Sequence, residues 1–237
     1  MGKIYRYECR RLLWNQFFAG LAAVLLGYGA LILRGVTILG VSHTAPFSPW
    51  SFGDYLSQML PLLWIGALFF LTFFTSPKAR RTAALTDAVP MRPARFALAR
   101  CAAAFTGTAI LALLCIAEAA VFYSRMFGWY SWGSLVFPAL VTLLPPLVFA
   151  LGSGWLLGRL RPWLLYIWMP IPILLAVLPL PEVLGLWNGS FFTAYPLTLE
   201  ILDPVFALPG PMVMVQLVLL MAGMALLVFG SKRRSIS

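Results

Sequence analysis

The side chains able to do chemistry are few and far apart. The single histidine, His43, lies in a polar, proline-bearing stretch with no partner in sight. The three cysteines, Cys9, Cys101 and Cys115, are odd in number and share no metal-ligand spacing, which argues against a disulfide framework or a metal cluster. No H-E-x-x-H, no cysteine–histidine cluster, no paired carboxylates in the apolar runs and no G-x-x-x-x-G-K-[ST] phosphate loop occurs. The chain is therefore expected not to be an enzyme and to hold no cofactor of its own. Two features remain. Glu118 is a carboxyl inside an apolar run, and Ser76 to Arg100 carries Lys78, Arg80, Arg81, Arg92, Arg95 and Arg100 against one acid, Asp87.

A carboxylate in hydrocarbon costs about 2.5–3.5 kcal/mol or more, so Glu118 must face protein or water. It reads either as a pathway or coupling-proton residue or as a contact between helices or subunits. About five residues are expected to separate it from the end of its span.

The elements around these residues are membrane spans. Hydrophobic residues make up 62% of the 237 and charged residues 10%. A soluble core cannot hide that much apolar surface. At about 20 residues per helix the chain holds roughly six spans and no separate soluble domain. The expected fold is all-α, an integral membrane protein of one domain.

Residues 1–16 read as a basic amphipathic helix in the inner interface, with Tyr5, Cys9, Leu12 and Leu13 on one side. Residues 17–75 hold spans one and two. The first (17–33) carries Gly20, Gly27 and Gly29 for close approach. The second (56–75) has Pro61 in its first turns and follows an outer loop edged by Trp50 and Phe52. Residues 76–92 form the basic loop. Ser76-Pro77 predicts a helix start and Pro90 its stop, and Pro93 opens the next helix. Residues 93–180 hold spans three to five. The fourth is expected to kink at Pro145-Pro146 and to pack closely at Gly154 and Gly158, and the fifth (163–180) is interrupted by Pro170 and Pro172. Residues 181–210 read as an outer cap of short helices. Residues 211–237 hold span six and a basic tail.

Basic charge sets the orientation. Only Arg34 and Arg125 of the 17 Lys and Arg residues fall on the predicted outer side, so both termini are expected inside. That distribution explains the net charge of +10 without nucleic acid.

The chain resembles the permeases of type-2 ABC (ABC-2) exporters. The likeness rests on the basic elbow, six spans with both ends inside, the short helix between spans two and three, and the proline-broken outer cap. Its most specific piece is Arg80-Arg81-Thr82-Ala83-Ala84-Leu85 followed by Asp87-Ala88-Val89-Pro90-Met91-Arg92. It departs from the family at Lys78-Ala79, where an acid often stands, and at Pro93 after the turn arginine. The resemblance implies a coupling helix in a bacterial cell membrane permease. A second permease chain, in a homo- or heterodimer, and two cytoplasmic ABC ATPases would be its partners. Arg80, Arg81, Thr82, Leu85, Asp87, Ala88, Val89, Pro90 and Arg92 would meet an ATPase, which alone would carry ATP and Mg. The cargo would be amphipathic or lipophilic, such as a peptide antibiotic, a drug or a lipid. The alternatives are a proton-coupled secondary transporter using Glu118 and a non-transporting anchor of a sensor complex.

Overall fold

The computed structural model describes residues 2–75, 93–199 and 201–232, with 93–95 and 231–232 described by backbone alone. These residues form helices and turns, with no strand among them. In chain order the α-helices are α1 (Gly2–Leu13), α2 (Gln16–Gly35), α3 (Pro49–Thr75), α4 (Pro93–Phe127), α5 (Gly133–Leu160), α6 (Leu164–Trp168), α7 (Ile171–Val177), α8 (Gly185–Asn188), α9 (Ser190–Thr198) and α10 (Gly210–Lys232). Five of them, α2, α3, α4, α5 and α10, are long and apolar enough to cross a membrane. The chain is thus a multi-pass helical membrane protein by length and composition.

The bundle is built around α3 and α5. Two-thirds (67%) of the most apolar stretch of each is buried, against 22% for α2 and 17% for α10. Because lipid solvates an apolar surface as well as a neighbouring leucine does, packing here depends on close shape fit and polar ties. α5 and α10 run in the same direction. Gly152 and Gly223 face each other, and a Cβ on Gly223 would sit 2.7 Å from the backbone nitrogen of Phe149. Only glycine permits that approach. The expected closeness at Gly154 and Gly158 is present too, since a Cβ on Gly158 would lie 2.8 Å from Cγ2 of Thr75. Of the three small residues expected to serve α2, only Gly29 is used this way; Gly20 and Gly27 face open space.

One segment starts earlier than expected. The second long helix starts at Pro49, not near residue 56, so Trp50 and Phe52 are fully buried rather than an interfacial edge. Ser48 is the cause. Its hydroxyl accepts from the Ser51 N–H (3.1 Å), and Pro49 then occupies the first helical position. Pro61 accordingly falls in the middle of α3. α5 is one helix that contains Pro138, Pro145 and Pro146. The fifth apolar segment is interrupted at Pro170, as expected, into two short helices, α6 and α7, while Pro172 lies within α7. From Leu164 to Val177 it is shorter than a usual span. It still returns the chain along the bundle. Leu165 packs at Gly154 and Gly158, and the Leu178 carbonyl accepts from Asn188 Nδ2 at the other end (3.4 Å).

The two ends of the bundle are held differently. At the end away from the basic residues, the Trp50 ring lies 4.8 Å from Phe206 and 5.4 Å from Phe191, centroid to centroid, and its Nε1 donates to the Pro204 carbonyl (2.7 Å). Phe192 fills the space over Gly53, and the Ser42 hydroxyl donates to the Thr193 carbonyl. Short helices α8 and α9 thereby close this end, matching the expectation of short helices in 181–210. At the basic end α1 packs on α4.

Candidate functional site

The residues expected to meet an ATPase, Arg80, Arg81, Thr82, Leu85, Asp87, Ala88, Val89, Pro90 and Arg92, lie outside the described residues. What the structure places are their two attachment points. Thr75 closes α3, buried, with its hydroxyl donating to the Leu71 carbonyl (2.9 Å). Pro93 opens α4, as the proline spacing predicts.

Beside these attachment points stands an ion pair that sequence reasoning did not single out. Glu8 of α1 is 3% exposed; Arg100 Nε of α4 donates to its Oε1 at 3.3 Å. Arg11 approaches the other oxygen at 3.7 Å. The Arg100 guanidinium also lies 4.1 Å from the Phe96 ring centroid and 5.7 Å from that of Phe74. One side chain thus gathers α1, α3 and α4 at the basic end. The signal was present in the sequence: Glu8 falls on the same side of α1 as Tyr5 and Leu12, an acid on an otherwise apolar face.

Glu118 sits where α2, α3 and α4 meet. Tyr55 of α3 shares its O–H between Glu118 Oε2 (3.3 Å) and the Cys115 carbonyl (3.2 Å). The carboxylate lies against Gly29 of α2, in space that a Cβ at residue 29 would fill. α4 runs on to Phe127, so nine residues follow Glu118 rather than about five. At 1.5 Å per residue that is about 13 Å of helix.

A second carboxyl was missed altogether. Asp54 is 4% exposed in α3, and its Oδ2 accepts from Gln58 Nε2 at 2.7 Å. A Cβ on Gly189 would lie 2.8 Å from its Oδ1. Reading residues 35–55 as a loop hid it. On a helix Ser51, Asp54 and Gln58 recur at spacings of three and four, which is one face.

Among the described residues no cluster of three or more His, Cys, Asp or Glu could hold a metal ion. His43 is on a connecting turn, with φ of 62°. What the geometry provides is two acids held by neutral hydrogen-bond donors inside the bundle, and one buried ion pair at its basic end. Comparison with family models, with curated proteins and with solved structures returned no match.

Proposed function

We propose that this chain is the permease subunit of an ATP-driven exporter of the ABC-2 kind in a bacterial cell membrane. It pairs with a second permease chain and two cytoplasmic ATPases. It moves an amphipathic or lipophilic cargo, a class favoured by the scarcity of polar side chains along the long helices. ATP and Mg belong to the ATPase partners.

One observation carries the reading. The basic segment 76–92 joins the end of α3, one of the two most enclosed helices, directly to the start of α4. A partner that binds this segment therefore acts on the centre of the bundle rather than on a lipid-facing helix. The six-span topology and inside termini belong to this proposal, with α6 and α7 as a broken fifth crossing. Affinity purification from native membranes tests it. The expected result is a nucleotide-hydrolysing subunit that co-purifies with the wild-type chain and is depleted by Arg80→Glu with Arg81→Glu. A preparation free of any ATPase, active in transport, would reject it.

The second reading is a proton-coupled transporter, favoured by Glu118 at the meeting of three helices. It requires transport to collapse with the proton gradient and to be lost in Glu118→Gln. The first reading requires transport to follow ATP instead.

A further inference from the structure

A cleft opens at the basic end of the bundle. Its volume is about 300 Å3, and its walls come from α1, α3, α4, α5 and α10. Leu71, Val148, Leu151 and Leu227 form an apolar floor. Leu98 and Phe105 of α4 stand at the rim, 60% and 44% exposed, on the surface that faces lipid. The cleft is thus entered sideways from hydrocarbon. Its one polar edge is a hydrogen bond between Tyr5 of α1 and Thr106 of α4 (2.7 Å). Thr106 donates to the Ala102 carbonyl, so Tyr5 is the donor in that bond. The polar pair is satisfied and asks nothing of an occupant.

Two arginines neighbour residues that line the cleft. Arg6 follows Tyr5, is exposed, and has no ion pair among the described residues. Arg159 lies within electrostatic reach of Cys101, which lines the cleft, while it donates to the Gly230 carbonyl and stacks 5.3 Å from the Trp155 centroid. Among the described residues that line the cleft none is acidic. An apolar slot open to the bilayer, with Arg6 next in sequence to Tyr5 of its wall and Arg159 within electrostatic reach of Cys101, is complementary to one molecule class: a lipid with an acyl chain and an anionic headgroup. A volume of about 300 Å3 is at the small end for ligand sites and suits a chain segment rather than a bulky cargo.

We propose that this cleft holds an acyl chain of an anionic phospholipid, whose phosphate is met by Arg6 and Arg159. The lipid fastens α1 to α4, α5 and α10 from the lipid side, as the Glu8–Arg100 pair does from the protein side. This proposal needs only that the chain is embedded in a bilayer; it stands apart from the transport reading.

Cys101 supplies the readout. The whole chain, purified in mild detergent, is alkylated with N-ethylmaleimide, and modification is followed peptide by peptide with buried Cys115 as reference. Added phosphatidylglycerol is expected to slow modification of Cys101 well before the same amount of phosphatidylcholine does. Arg6→Gln should raise the phosphatidylglycerol needed for half protection about fivefold, the effect of one basic residue at an anionic surface. Ala102→Phe, which fills the cleft, should remove the lipid dependence. Arg6 is exposed, so its variant keeps the test valid if Ala102→Phe does not fold. Equal protection by both lipids, no protection by either, or an Arg6→Gln chain that responds like wild type would overturn the proposal.

Discussion

The carboxylate of Glu118 occupies the space that a side chain on Gly29 would need. A Cβ there would also come within 2.8 Å of the Tyr55 hydroxyl. Gly29 and Glu118 therefore specify each other: the missing side chain on α2 is what lets an acid of α4 reach its donor on α3.

Gly29→Ala should lower thermal stability in detergent although alanine is the better helix former. The added methyl pushes Glu118 off Tyr55, at a cost of about 1–3 kcal/mol. Adding Glu118→Ala should recover part of the loss. Two independent losses that simply add would show that the residues do not share that space.

Tyr55→Phe should destabilise by about 1–3 kcal/mol, because it leaves the Glu118 carboxylate without its donor. Glu118→Gln keeps an acceptor for the Tyr55 hydroxyl and removes the charge, so it should be milder. Thermal melts of both variants decide the order; a milder Tyr55→Phe would mean the hydrogen bond contributes little.

Glu8→Gln alone, or Arg100→Gln alone, should cost about 3–5 kcal/mol, the range for stripping one partner from a buried ion pair. The double variant should be closer to wild type than either single one. Limited proteolysis after residue 13 provides a separate check, since α1 held only by apolar contacts should be cut faster.

Gln216 is 5% exposed in α10, and among the described residues neither amide atom has a hydrogen-bond partner. It lies on the α5-facing stripe with Met212, Gly223 and Leu227. Gln216→Leu should therefore raise the melting temperature, since it removes an orphaned amide of similar size. A lower melting temperature would place an internal water on that amide.

Much of this architecture could be read from the residues alone. Long apolar runs ended by arginine gave the five long helices, and Pro93 marked the start of α4. Ser48-Pro49 carried the same start signal as Ser76-Pro77, but the polar residues around it outweighed it, and that hid the first two turns of α3 with Asp54. Proline acts differently from one helix to the next. It parts α6 from α7 at Pro170, where the segment is short, yet α5 absorbs three prolines because neighbours on several sides hold it helical. The pairing of Glu118 with Tyr55, and of Glu8 with Arg100, joins residues 63 and 92 positions apart. Periodicity within one helix has no access to partners of that kind.

The unlike fastening of the two ends has a mechanical consequence. Where Trp50, Phe191, Phe192 and Phe206 interlock, relative sliding of helices would have to unseat several rings together. At the opposite end, among the described residues, Arg100 gathers α1, α3 and α4, Arg159 donates to the Gly230 carbonyl, and Phe17 and Phe18 of α2 meet rings of α3. Ring-to-ring contacts between elements are denser at the far side, so a push delivered at the basic end would meet its stiffest resistance there. The bundle is therefore built to tilt about its ring-filled end as a fulcrum, so that a small displacement at the basic end splays the helices instead of shifting them bodily along the membrane normal.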